Sequence, residues 1–230
     1  MKILVVSSTL KEVEPFLDFL ENPQQINENF FKKDFLNNEI FVFISGVGCY
    51  SMIYGLSKIL FNYNFDLVIN IGIAGAYNRN FHIGEVVFVL CEQIGDLGID
   101  QDGVFVSLFQ TDLVSANSKP FENGVLVNPN KFLYEIMPNI RRVNGLTVNT
   151  VTGQQNNSSR LAASFNVDIE TMEGAGFFYV CLMENAKFVE LRAISNYVGS
   201  RKENQWYIFD ATQSVNRELR LFVLEYLRRV

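Results

Sequence analysis

Asp66-Leu-Val-Ile-Asn-Ile-Gly-Ile-Ala-Gly75 opens as an almost unbroken apolar run and finishes on residues with little or no side chain. A strand with one wet face alternates apolar and polar positions, whereas a run apolar at nearly every position belongs to a strand covered on both faces. Residues 66–71 are therefore predicted to form such a strand, ending in Gly72-Ile-Ala-Gly75. Its cover must come from helices on either side, which makes the chain α/β.

The flanking sequence supplies them. Toward the amino end, Lys2-Ile-Leu-Val-Val-Ser7 is a second run of the same kind, and Val13, Phe16, Leu17 and Leu20 recur behind it at helical spacing. Residues 30–35 and 39–45 read as a hairpin turning on Asn37-Asn38. Its second strand runs into Gly46-Val-Gly48, and Ile53, Leu56, Ile59 and Leu60 mark the next helix. Toward the carboxyl end, residues 84–90, 142–150, 167–170 and 188–194 read as strands. Residues 174–184 read as a largely apolar helix, and 211–227 as a closing helix striped by Val215, Leu219, Phe222, Val223 and Tyr226. Residues 91–123, rich in Gly and Asp, carry no clear period. Strands alternating with helices imply crossovers, hence a three-layer α/β/α sandwich around a central mixed, largely parallel sheet. No Pro/Gly/Ser linker, charge block or low-complexity tract interrupts it, so residues 1–230 are read as one domain.

Composition narrows the function. Of 230 residues, 48% are apolar and 19% charged, which excludes a disordered chain. The net charge of -6 argues against a surface that neutralises nucleic-acid phosphates. One histidine, His82, and the three cysteines Cys49, Cys91 and Cys181 form no CxxC, HExxH or zinc spacing, so no metal is expected. The cysteines read as reduced, buried thiols of a cytoplasmic protein, and His82 as a surface or structural residue. The apolar run at residues 3–6 is too short for a signal peptide, and no stretch reaches the ~18 residues of a membrane span.

In open α/β sheets ligands bind beyond the carboxyl ends of the strands. Small or polar residues stand at such ends in Ser7 to Glu12, Gly46 to Gly48, Gly72 to Gly75 and Ser195-Asn196, with Glu170 to Glu173 as a fifth group. Gly46-Val-Gly48 lacks the third glycine and the following acid of a dinucleotide fingerprint, and no Walker-type phosphate loop exists. These glycines serve equally well as tight strand-to-helix turns. Glu173 borders an apolar stretch, where a carboxylate needs a reason to exist; an exposed acid favourable to a helix dipole is the plain alternative. Arg192 interrupts a buried-strand run and so requires an acidic or anionic partner, whether substrate or a structural salt bridge.

Four segments together give the chain a family. Val5-Val-Ser-Ser-Thr-Leu-Lys-Glu12, Ile69-Asn-Ile-Gly-Ile-Ala-Gly-Ala76, Glu170-Thr-Met-Glu-Gly-Ala175 and Arg192-Ala-Ile-Ser-Asn-Tyr-Val-Gly-Ser-Arg201, with Trp206 behind it, resemble the nucleoside phosphorylase and nucleosidase superfamily. Within it the Asn-Tyr-Val-Gly-x-Arg extension followed by Trp is most similar to the futalosine hydrolases. That resemblance implies a nucleoside phosphorylase-like fold and hydrolysis of the N-glycosidic bond of futalosine. The products would be hypoxanthine and dehypoxanthine futalosine, in menaquinone biosynthesis, formed without a cofactor. By the same resemblance Glu12 would deprotonate the attacking water with help from Arg192, and Glu173 would grip the ribose hydroxyls. Asn196 would face the purine and Met172 would wall the sugar. Ser195, Gly72, Ile73, Gly75, Gly48, Asn156, Arg201 and Trp206 would line the substrate, Asn156 within an amide-rich stretch that also holds Gln154 and Asn157. A homo-oligomer, dimer or tetramer, is also implied, and 21 phenylalanines suit an apolar interface.

The chain departs from relatives at telling positions. Nucleosidases acting on 6-aminopurines carry Asp where Asn196 stands; an amide can donate to a 6-oxo group while accepting from a protonated N7, so hypoxanthine fits better. Asn196 could instead cap a turn. Ile73 replaces a serine that helps hold water in methylthioadenosine-type nucleosidases, leaving that task to backbone amides around residues 72–75. The phosphate-holding early arginines of the phosphorylases are missing, since the first 78 residues contain no Arg. The competing readings are a methylthioadenosine/S-adenosylhomocysteine-type nucleosidase, a 6-oxopurine nucleoside phosphorylase, and a nucleoside-binding sensor without turnover.

Overall fold

The computed structural model describes residues 1–102, 104–154, 161–162, 164–199 and 207–230. Its strands are β1 (Lys2–Ser7), β2 (Gln24–Asn27), β3 (Phe30–Phe35), β4 (Asn38–Ile44), β5 (Leu67–Ala76), β6 (Val86–Ile94), β7 (Gly98–Gln101), β8 (Val104–Ser107), β9 (Leu126–Val127), β10 (Arg141–Thr147), β11 (Ile169–Thr171) and β12 (Phe188–Tyr197). The helices used below are α1 (Leu10–Phe19), α2 (Cys49–Asn62), α3 (Gly174–Met183) and α4 (Ile208–Arg229).

The main sheet runs in the order β11-β10-β6-β12-β5-β1-β4-β3-β2. Strands β4, β1, β5 and β12 are parallel neighbours, while β6 meets β12 antiparallel, so the sheet is mixed. Successive strand residues feed opposite faces. Ile3, Val5, Ile69 and Ile71 pack with Val13 and Phe16 of α1 and with Val215, Leu219 and Phe222 of α4. Leu4, Val6 and Val68 pack on the other face with Met52 and Leu56 of α2 and Ala175, Phe177 and Phe178 of α3. The three-layer α/β reading is therefore what the chain adopts.

One end of the sheet does more than a flat sandwich would. The far end of β5 pairs antiparallel with β11 through Gly75 and Ala76, so β5, β12, β6, β10 and β11 close into a ring. Closure needs a long strand, and β5 continues to Ala76 rather than ending at Ile71. The predicted glycine turn at residues 72–75 is thus corrected: these are strand residues whose missing side chains admit neighbours across the sheet. Strand β6 likewise extends to Ile94, and β7 and β8 form a separate hairpin in the stretch without a readable period. The β3–β4 turn falls on Leu36 and Asn37, both with positive φ, one residue earlier than expected. Among the described residues no helix is long and apolar enough to cross a membrane.

Candidate active site

A cavity of about 320 Å³ opens where β1, β5 and β12 end and α1 and α3 begin. Glu12 enters it from the first turn of α1. Thr9 caps that helix, accepting the Glu12 N–H at 3.3 Å and donating its hydroxyl to Glu12 Oε2 at 2.8 Å. Ser8 donates to the same oxygen at 2.5 Å, and the Ile73 N–H donates to Oε1 at 3.2 Å. The α4 residue Asn216 holds the Glu12 carbonyl at 2.7 Å. Three donors from two elements fix the carboxylate in the cavity wall.

Arg192 is 1% exposed and lies on β12 two residues after Glu190, so both side chains share a face. Its Nε donates to Glu190 Oε1 at 2.7 Å, and Nη2 has no hydrogen-bond partner among the described residues. The guanidinium lies over Gly72: a Cβ there would overlap Arg192 Nη1 and sit 3.0 Å from Glu12 Oε1. Bare backbone is what lets arginine and carboxylate approach. Burial opposes the guanidinium's charge, yet Glu190 and Glu173 outweigh it and hold the proton more tightly than usual. The required acidic partner is therefore Glu190, with Glu173 and Glu12 nearby.

Glu173 stands at the N-cap of α3 but does not cap it. Its carboxylate turns instead into the cavity and accepts the Gly48 N–H at 2.8 Å. Gly48 has φ of 92°, a conformation that favours glycine. Burial pushes the Glu173 carboxyl above its usual range, with Arg192 and the Gly48 N–H opposing. The exposed-acid alternative fails, because Glu173 is 6% exposed.

Asn196 owes its direction to a bulge. Along β12, Ile194 pairs with Ala74 and Asn196 with Gly75, leaving Ser195 as the extra residue. Both Ser195 and Asn196 then line the cavity, and the Ser195 hydroxyl donates to Asn196 Oδ1 at 2.8 Å. With Oδ1 so engaged, Nδ2 presents the donors; it packs against Gly75, where a Cβ would lie 3.1 Å away. Met172, Ile73 and Gly75 complete the wall.

The cavity thus gathers Glu12, Glu173, Asn196, Met172, Ser195, Ile73 and Gly75, with Arg192, Gly72 and Gly48 directly behind them. Asn156, Arg201 and Trp206 lie outside the described residues, and Gln154 is exposed. The Ile73 N–H, one of the backbone amides around residues 72–75, donates to Glu12 Oε1 at 3.2 Å. Ser8, Thr9, Lys11 and Val47 of the wall lie in the strand-end segments picked out in sequence but without individual roles, whereas Val151 and Ile208 lie outside all of those segments. Thr9 was findable, since Thr-x-x-Glu before an apolar run is a capping pattern. Glu170 also reaches the wall, but Tyr77 Oη at 2.8 Å, Thr152 N at 2.9 Å and Thr152 Oγ1 at 2.6 Å occupy its carboxylate. His82 is exposed. Cys181 is buried as read, while Cys49 on α2 and Cys91 on β6 are only half-buried. Burial, and then Glu92, push the Cys49 and Cys91 thiols up to about 11 and about 12, which leaves them poor nucleophiles.

Chemically, the arrangement offers a carboxylate base, a second carboxylate held by a glycine amide, a charged guanidinium between them and an amide donor opposite. A family model described as the phosphorylase superfamily matches residues 2–228, and the chain belongs to that superfamily, a family of enzymes. More particularly, the chain is 30% identical over 158 residues to the futalosine hydrolase of Thermus thermophilus, covering 67% of this chain and 68% of that protein. It is 23% identical over 229 residues to the aminodeoxyfutalosine nucleosidase of Campylobacter jejuni, covering 96% and 98%. The native structure of futalosine hydrolase from Helicobacter pylori superposes with a TM-score of 0.83 at 18% identity, covering 98% of each chain.

Proposed function

We propose that this protein hydrolyses the N-glycosidic bond of futalosine and releases hypoxanthine. The observation that carries the reading is the meeting of Glu12, Glu173 and Asn196 in one cavity of about 320 Å³. Departure of a purine leaves an oxocarbenium-like sugar, so the transition state gains positive charge on the ribose. Glu12 takes a proton from water while the water oxygen bonds to the anomeric carbon; the glycosidic electron pair leaves with the purine, whose N7 takes a proton from bulk water, and the proton held by Glu12 returns to solvent. Glu173 accepts the ribose hydroxyls and, with Glu12, supplies negative charge beside the developing cation. Arg192 keeps those carboxylates from mutual repulsion, and Glu190 fixes its Nε edge so that the other edge faces Glu12. Asn196 Nδ2 donates to the 6-oxo group, because Ser195 holds Oδ1.

Water is the favoured acceptor because the chain has no Arg before Arg79, and Arg79 stacks on Tyr197. The test is base release from futalosine with and without phosphate. Hypoxanthine formed at equal rate in both supports the reading; no release, or release only with phosphate, rejects it. A 6-amino substrate is the second reading, favoured by the Campylobacter relative that aligns along nearly the whole chain; adenine release from aminodeoxyfutalosine, outpacing hypoxanthine release, would establish it. We also infer a homo-oligomer. Tyr50, Tyr54 and Phe61 stand 79%, 73% and 88% exposed on α2, an apolar surface that a second copy would cover. Sedimentation of the purified protein as a monomer would reject it.

A further inference from the structure

Beneath the cavity lies a carboxylate that cannot touch substrate. Glu92, on β6, is 0% exposed, and its Oε1 rests where Gly145 of β10 and Gly174 of α3 have no Cβ: a methyl at either would overlap it. Its environment is built on three neighbouring strands. Gly145 pairs with Glu92, and Thr147 of β10 pairs with Thr171 of β11. Both threonine hydroxyls reach Glu92, Thr147 Oγ1 donating to Oε2 at 2.9 Å and Thr171 Oγ1 donating to Oε1 at 3.5 Å.

These hydroxyls do a second job. The first N–H groups of a helix have no partners within it, and a capping side chain at the N-cap commonly supplies one. In α3 that side chain is Glu173, which is committed to the cavity and Gly48. The unpaired amides go elsewhere: Gly174 N–H to Thr171 Oγ1 at 3.3 Å, Ala175 N–H to Thr147 Oγ1 at 2.7 Å, and Gly176 N–H to the Cys49 sulfur. A hydroxyl that accepts from an amide must send its own proton to another acceptor. Glu92 is that acceptor for Thr147 at 2.9 Å, and Thr171 joins the same network, 3.5 Å from Glu92 Oε1 and 3.2 Å from the Thr147 hydroxyl. Glu92 anchors the helix start through them.

We propose that Glu92 is a positioning residue: by holding Thr147 and Thr171 against the first turn of α3, it frees Glu173 from capping and aims it at the sugar hydroxyls. The inference rests on the reading of Glu173 as the ribose-holding group. Its consequence is specific to the sugar, whereas a merely structural role would weaken every contact alike.

Calorimetry with a carbon-linked, non-hydrolysable inosine analogue and its 2′-deoxy counterpart separates these. The wild type is expected to prefer the ribo form, and Glu92→Gln to lose about tenfold of that preference, one hydrogen bond to a charged group. Preference between the inosine and adenosine analogues, which Asn196 reads, is expected to stay unchanged. Thr147→Val should reproduce the loss and Thr147→Ser should retain the preference, which decides the matter even if Glu92→Gln does not fold. A wild type without ribose preference overturns the role given to Glu173, and this inference with it. A ribose preference kept in Glu92→Gln or Thr147→Val, or a parallel loss of base preference, overturns the inference alone.

Discussion

In the proposed reaction Asn196 carries the base preference on a single carboxamide. Because Ser195 donates to its Oδ1, the Nδ2 protons point at the leaving base, where a 6-oxo group accepts and a 6-amino group would set donor against donor. Asn196→Asp exchanges that donor for an acceptor. The ratio of kcat/KM for 6-amino over 6-oxo substrate should rise roughly 5- to 150-fold, the effect of one mismatched buried hydrogen bond, and an unchanged ratio would show that this residue does not read the base. Glu173 should set the acid limb of the pH profile. Burial raises its carboxyl, and sugar binding needs the ionised form, so kcat/KM should fall as pH drops through a value above the ordinary 4.5. Glu173→Gln should lower kcat/KM and take away the fall at that raised value. At this scale much was readable beforehand. Glu173 and Arg192 stood out as charges among apolar neighbours, and Glu190, two positions before Arg192 on the same strand face, was visible by period alone. Glu92 was not. Val143 pairs with Val89 and Asn144 with Cys91, so a bulge at Leu90 changes which face Glu92 takes.

At the scale of elements, the glycines of β5 explain both what was legible and what was not. A loss of side chains in sequence fits a turn or a close approach equally well, and only the partner across the sheet distinguishes them. Here the partners are Arg192 and Glu12 at Gly72, and Asn196 and Val198 at Gly75. Ring closure by β11 is a pairing between residues almost a hundred positions apart, which no local pattern announces. Gly72→Ala should therefore act through Arg192: the new Cβ displaces the guanidinium, overpacking costs about 1–3 kcal/mol, and base release should fall by at least tenfold with circular dichroism unchanged. Normal turnover in that variant would mean that the arginine does not need its place over the strand. Thr9→Ala removes both the cap of α1 and a donor to Glu12. Urea denaturation should show a loss of about 1 kcal/mol, the usual worth of an N-cap, and a fall in kcat should accompany it because Ser8 and Ile73 alone then hold the carboxylate.

Across the whole molecule, the site concentrates acids in a chain that is already acidic, with a net charge of -6. Glu92 and Glu173 both have carboxyls raised by burial, Glu92 further by Glu190. Between the unfolded value near 4.5 and the raised folded value, the native state binds more protons than the unfolded chain. Stability therefore falls as pH rises through that window, by up to about 1.4 kcal/mol per pH unit for each such group. Glu39 and Glu225 act with the opposite sign. Hydrogen bonds from Lys32 and from Arg228 lower their carboxyls, that of Glu225 to about 2, so what they contribute is present above 4.5 and lost as pH falls. Both lie partly exposed at the surface, where solvent screens their effect. Maximum stability should accordingly lie on the acid side of neutral. Urea unfolding at pH 5 and pH 8 should find the wild type less stable at pH 8, and Glu92→Gln should narrow that gap, whatever the substitution does to stability at either pH. General repulsion among surface acids is common to both proteins and cancels in the comparison, so an equal gap in the two would mean that the buried carboxyl of Glu92 does not drive the pH dependence.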